Sequence, residues 1–222
     1  MNRDDFPIFK EKKDLIYFDN GATTLKPQRV FDSITSYYSS YTANAHRGDY
    51  DNSIEVDSKY EGVRTKVKNF INAESEKEII FTKGTTDSLN MIVFGFMINY
   101  LKDGDEVLIS KSEHASNVLP WMELANRIGI KIKYVELNED FELTPENILK
   151  NITEKTKVIS LAHVTNVIGD VRDINSIGKI CKEHNIIFVV DAAQSIGHVK
   201  IDVTKSNIDF LAFSAHKMLG PT

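Results

Sequence analysis

The sequence predicts an α/β protein with a mostly parallel sheet and helices on both of its faces. Short apolar runs rich in β-branched residues recur along the 222-residue chain. Most read as continuous apolar segments rather than alternating ones, as strands covered on both faces do. Between them lie longer segments with helical spacing, and strands alternating with helices build βαβ units. A chain of this length buries roughly 70% of its unfolded surface, enough for a core that needs no staples.

Met1 to Asp14 is charged, carries Pro7 and lacks the apolar stretch of a secretory signal. Residues Pro27–Tyr41 form the first expected helix, with Pro27 suited to its first turn. The segment Ala43–Asn52 (ANAHRGDYDN) is polar and irregular. A loop holding both His46 and Arg47 is a place to look for function, and it reads equally well as a solvated connector. In Ser53–Ile71 the apolar positions Val56, Tyr60, Val63, Val67 and Phe70 step by 4, 3, 4 and 3, which makes one helical face.

Six strands are expected: Glu78–Thr82 (EIIFT), Glu106–Ser110 (EVLIS), Lys131–Glu136 (KIKYVE), Lys157–His163 (KVISLAH), Ile186–Asp191 (IIFVVD) and Asp209–Ser214 (DFLAFS). The intervening helices are Thr85–Tyr100, Ala115–Ile128, Thr144–Asn151 and Asp173–His184. The last nine residues, SAHKMLGPT, follow a strand with no closing helix, so the chain reads as a fragment of a longer architecture. Residues 1–52 are expected to form an N-terminal arm and segment, and 53–222 a large domain cut shortly after Lys217.

Composition narrows the function. The formal net charge is −5, with 41% hydrophobic and 27% charged residues, which argues against a general nucleic-acid binder. One cysteine excludes an internal disulfide and any Cys-rich metal site, and no metal is expected. Cys181 sits in a helical pattern beside Ile177 and Ile180 and reads as a buried, inert thiol. The longest apolar stretch, Met91–Leu101, is broken by Gly95 and Asn99. It falls well short of the roughly 20 residues that span a bilayer. A cytoplasmic protein without membrane contact is the expectation.

In an open α/β sheet, ligands gather at the carboxyl ends of the strands. The notable polar residues fall there. Gly84-Thr85-Thr86 follows the first expected strand and opens a helix whose free N–H groups and positive end favour an anion, typically phosphate. Taken alone it is also a plain N-cap. His114 follows the next strand and suits stacking on a flat ring and proton transfer near neutral pH. Taken alone, it reads rather as a histidine in a helix's first turn. His163 closes another strand, with Asn166 just beyond. Asp191 closes IIFVV, where a carboxylate can pair with a cationic ring nitrogen or simply cap the next segment. Ser214, His216 and Lys217 close the last. A lysine buried near other cations loses pKa and becomes a nucleophile toward carbonyls, whereas an isolated lysine is usually a surface residue.

These residues converge on a family. The chain resembles the N-terminal part of class V aminotransferase-fold enzymes that use pyridoxal 5'-phosphate (PLP), and within them the group II, SufS-type cysteine desulfurases, which include selenocysteine lyases. The similar stretches are Tyr17–Thr24 (YFDNGATT), Ala45–Gly48 (AHRG), Gly84–Thr86 (GTT), Glu113–Asn117 (EHASN) with Pro120-Trp121, His163–Asn166 (HVTN), Val190–Gln194 (VDAAQ) and Ser214–Lys217 (SAHK). They follow the family's order and cover nearly the whole chain.

The resemblance implies the large domain of the fold type I PLP enzymes, with the C-terminal small domain absent. It implies Lys217 as the Schiff-base lysine and proton shuttle, and Asp191 as partner of the pyridinium nitrogen, which makes the ring an electron sink. Gln194 would hydrogen-bond the ring's phenolic oxygen near Asn166, and His114 would stack on the ring and assist proton transfers. Thr85, Thr86, Ser214 and His216 would cradle the phosphate, and His46 and Arg47 match a loop near the substrate entrance. The implied reaction takes sulfur from L-cysteine, or selenium from L-selenocysteine, leaving L-alanine. The sulfur goes to an enzyme persulfide and then to an acceptor protein for iron–sulfur cluster assembly. Homodimerisation is implied as well.

Ala115 departs from the family, which often has a second histidine there. The persulfide cysteine and the substrate-carboxylate arginine would lie beyond Thr222, so the chain alone is expected to be inactive. Two other readings stay open. One is a related class V PLP lyase, epimerase or aminotransferase, and the other is a non-catalytic, truncated binding protein.

Overall fold

A computed structural model describes residues 2–222. The chain divides into two compact units, one running up to Ile80 together with Ala215–Thr222, the other Phe81–Ser214.

The second unit is built on five parallel strands: β1 (Glu106–Ser110), β2 (Lys131–Val135), β3 (Thr156–Ala162), β4 (Ile187–Asp191) and β5 (Phe210–Ala212), in the order β2-β1-β3-β4-β5. All but one residue in each of β1, β3 and β4 is buried, which is why these strands read as unbroken apolar runs. Because all five run the same way, their carboxyl ends share one edge. The register sets Ala162 of β3, Asp191 of β4 and Ala212 of β5 level with one another.

Successive residues of a strand face opposite sides, and the core divides accordingly. Val107, Ile109, Val158, Val189 and Ala212 meet Leu89, Val93, Met97, Trp121 and Leu124. The helices behind that face are α4 (Thr85–Met91), α5 (Ile98–Tyr100) and α6 (Leu119–Ile128). Phe188 points the other way, toward α8 (Ile174–Glu183), which lies near α7 (Pro145–Asn151). Gly178 makes that approach possible. A Cβ on it would sit 1.7 Å from the Ser206 carbonyl oxygen and 3.5 Å from the Phe188 ring.

Three expectations need correction. Glu78–Thr82 is not a strand. Glu76–Glu78 is a 3-10 turn capped by the Ser75 hydroxyl, and the following residues lie outside the sheet, with Ile80 68% exposed. An apolar run resembles a strand, but a strand exists only through a ladder with a neighbour. The helix expected over Thr85–Tyr100 is interrupted by a π-helical stretch, Ile92–Met97, between α4 and α5. The wider turn still carries Leu89, Val93 and Met97, four residues apart, into the core. The helix expected over Ala115–Ile128 is a 3-10 turn, Ala115–Asn117, followed by α6. Pro120 sits in the first turn of α6, where its missing N–H would have no partner within the helix.

In the first unit α1 (Ile8–Glu11), α2 (Gln28–Ser40) and α3 (Asp51–Ile71) are joined by irregular chain. Pro27 is the N-cap of α2 rather than a first-turn residue. Asn72 ends α3 with φ 56°, the left-handed conformation that asparagine tolerates at a helix end. The segment Ala215–Thr222 is pinned to Thr23, Thr24 and Lys26. The Thr24 N–H and the Lys26 ammonium donate to the His216 carbonyl at 3.0 and 2.7 Å, and the Leu219 N–H donates to Thr24 Oγ1 at 2.9 Å. Among the described residues no helix is long and apolar enough to cross a membrane, and no cluster of His, Cys, Asp or Glu could hold a metal ion.

Candidate active site

The carboxyl edge of the sheet brings part of the expected constellation together. Gly84 (φ 132°) turns the chain into α4, and a Cβ there would stand 3.0 Å from Ser214 Oγ. Glycine is what that backbone and that approach require. Thr85 donates its backbone N–H to Ser214 Oγ at 2.7 Å, and the two hydroxyls are 2.7 Å apart. Both residues are buried. Two groups 129 residues apart in sequence thus form one hydroxyl-and-amide nest at a helix start, a setting suited to an anion.

Beside it, Thr86 Oγ1 lies 2.8 Å from Ser116 Oγ, which lies 3.0 Å from His114 Nδ1. The Ser116 N–H donates to the same Nδ1 at 3.1 Å. His114 itself is exposed at the N-cap of the Ala115–Asn117 turn. Asp191 ends β4 buried, its Oδ1 accepting the Ala193 N–H at 2.9 Å. Gln194 follows three residues on and is half-buried, and Asn166 is exposed in the turn after β3.

His46, Arg47, His216 and Lys217 belong to the first unit. His46 has φ 59° and gives its N–H to Asp57 Oδ1 at 2.6 Å, with Nε2 3.4 Å from Glu61, so the loop is held to α3. His216 Nδ1 lies 3.1 Å from Thr23 Oγ1. Burial, and then the charges of Lys217 and Lys26, push the His216 imidazole below the ordinary histidine range.

Three buried groups have surroundings that the sequence does not announce. Glu113 and Arg172 form an ion pair with both side chains fully buried. His163 is buried with Nδ1 lacking a partner among the described residues, and burial lowers its pKa. It borders a cavity of about 240 Å³ with Arg172, Lys200 and Lys205. Charged residues are seldom buried, and no spacing rule announces a pair 59 residues apart.

Cys181 is buried and free. Burial, with Asp209 adding to it, pushes its thiol up from 9.0 to about 12. That lowers the thiolate fraction at neutral pH on the order of a thousandfold. Iodoacetamide at neutral pH is therefore expected to label Cys181 slowly in the folded protein and rapidly in urea. Fast labelling of the folded form would contradict its burial.

The family model for aminotransferase class-V matches residues 16–222. The chain belongs to that family. It is 51% identical, over 99% of its length, to a probable cysteine desulfurase of Borreliella burgdorferi, of which it covers 53%. The apo structure of a cysteine desulfurase from Thermococcus onnurineus NA1 superposes with a TM-score of 0.93 at 41% identity, over 99% of this chain and 54% of that one. A structure of SspA in complex with cysteine gives a TM-score of 0.85 at 29% identity, over 94% of this chain and 59% of that one. The chain thus spans about half the length of the relatives it matches. Class V aminotransferases and cysteine desulfurases are PLP-dependent, and the parallel sheet flanked by helices is that family's fold.

Proposed function

We propose that this chain carries the cofactor-binding half of a group II, SufS-type, PLP-dependent cysteine desulfurase. The observation that carries the reading is Asp191, buried at the carboxyl end of β4 on the same sheet edge as the Thr85–Ser214 nest. The donor set fits PLP. A phosphate suits the nest at the start of α4, where a Cβ on residue 84 would crowd the Ser214 hydroxyl. A protonated ring nitrogen suits the buried carboxylate.

In this reading Thr85, Thr86, Ser214 and His216 would hold the phosphate, Gln194 and Asn166 would serve the phenolic oxygen, and the Lys217 amine would hold the aldehyde group. Bound there, PLP supplies an electron sink for charge developing at the substrate's α-carbon. Asp191 would keep a proton on the ring nitrogen, and the Lys217 amine would move the proton at the substrate's α-carbon. His114 would stack on the ring and assist proton transfers, and His46 and Arg47 would serve the substrate entrance. Cys181 does not supply the sulfur-accepting thiolate, since its thiol is buried and its pKa raised. Similarity to cysteine desulfurases and to SspA, solved in complex with cysteine, supports L-cysteine as substrate. A homodimer, a sulfur-acceptor protein serving iron–sulfur clusters and a cytoplasmic setting belong to the same proposal.

The test is a titration of the purified protein with PLP, followed by L-cysteine. The proposal expects a visible absorbance band and a change in that band specific to cysteine. A band indifferent to cysteine but perturbed by other amino acids would favour a class V lyase or aminotransferase. No band in a folded sample would favour a binding protein.

A further inference from the structure

The buried Arg172–Glu113 pair has no part in the chemistry above, yet it adjoins His114 in the chain. Glu113 accepts through Oε1 from Arg172 and from Ser110 Oγ, and through Oε2 from the Ala162 N–H at 2.7 Å and Asn117 Nδ2 at 2.8 Å. Arg172 also donates to the Ala162 carbonyl at 3.1 Å and to Ser110 and Ser112 Oγ, both at 2.7 Å. The pair thus ties the ends of β1 and β3 to Asn117, the last residue of the 3-10 turn. Asn117 in turn accepts from Ser160 Oγ at 2.6 Å. Buried ion pairs add little net stability over neutral replacements, and their best-attested use is to fix one arrangement among several.

The arrangement fixed here is that of His114. Its carbonyl accepts the Asn117 N–H at 2.8 Å, and its Nδ1 accepts the Ser116 N–H at 3.1 Å. A ring nitrogen that accepts an N–H carries no proton of its own, so the neutral ring bears its proton on Nε2. We propose that Arg172 is a positioning residue: acting through Glu113, it holds the Ala115–Asn117 turn and so keeps His114 as the Nε2–H tautomer, with Nε2 as the edge that exchanges protons. The inference deepens the role proposed for His114 and rests on that reading for the ring's use. The geometry itself does not depend on the cofactor.

The hydrogen bond can be read directly in cofactor-free, ¹⁵N-labelled protein. At about pH 8.5, well above the ordinary histidine range, wild type should show a through-hydrogen-bond coupling between the Ser116 amide nitrogen and His114 Nδ1. The neutral double variant Arg172→Met/Glu113→Gln, with its fold checked by circular dichroism, should lose it. Arg172→Lys keeps a cation opposite Glu113 but not the two-pronged fork. It serves as the comparison should the double variant fail to fold, and the coupling should weaken. No coupling in wild type, or an unchanged coupling in a folded variant, would overturn the proposal. PLP binding is titrated on the same wild-type sample. Binding without the coupling defeats this inference alone, and the coupling without binding defeats the cofactor reading alone.

Discussion

Phe188→Ala should cost about 3–5 kcal/mol of folding free energy, as removal of a buried phenyl ring does. Phe188 is fully buried at the second position of β4. The hole it leaves has little freedom to collapse. On either side β4 is locked into ladders with β3 and β5, and the Phe188 N–H is held by Asp209 Oδ2 at 2.8 Å. Above the ring, α8 already lies as close as Gly178 permits. A loss of that size lowers the melting temperature of a chain this long by on the order of 10 °C. In urea the midpoint should fall with the slope unchanged. Asp191 lies three residues further along the same strand, so a softened β4 should also weaken PLP binding. A loss below about 1 kcal/mol, as surface substitutions give, would show that Phe188 is not at the centre of the fold.

The elements legible in the sequence share a physical cause. β1, β3 and β4 are covered on both faces, and that cover writes an unbroken apolar run into each. β2, at the sheet's edge, is half-covered and was legible through its β-branched and aromatic residues. Glu78–Thr82 carries the same kind of run without joining the sheet, because composition cannot report whether a ladder partner stands beside it.

The site divides in the same way. Asp191 and Ser214 follow from one rule, that polar residues gather at the carboxyl ends of parallel strands, whereas Thr85 was legible only as the start of a helix after Gly84, since the strand expected before it is absent. The structure places Thr85 and Ser214 in direct contact and buries Asp191. Glu113, Arg172 and Ser116 were not legible as partners. Their roles arise from contacts between β1, β3 and the loops after them, and such contacts leave no period and no spacing. His46 and Arg47 stand out as a histidine and an arginine in a polar loop, and the local geometry gives His46 a place against α3.

Lys217→Ala should remove the visible absorbance band that PLP gives with the wild-type protein, and should leave the far-ultraviolet circular dichroism unchanged. The lysine lies three residues past Ser214 and adjoins His216, whose carbonyl is anchored by Thr24 and Lys26. The ε-amine is the one group in the proposed constellation that bonds covalently to an aldehyde, so its loss should be total rather than graded. Substitution at Thr86 or Gln194 should only weaken binding. The most direct measurement is borohydride reduction of the wild-type protein with PLP, followed by peptide mapping. The account predicts a single pyridoxyl adduct, on Lys217. An adduct on another lysine, or none in a folded sample, would contradict it.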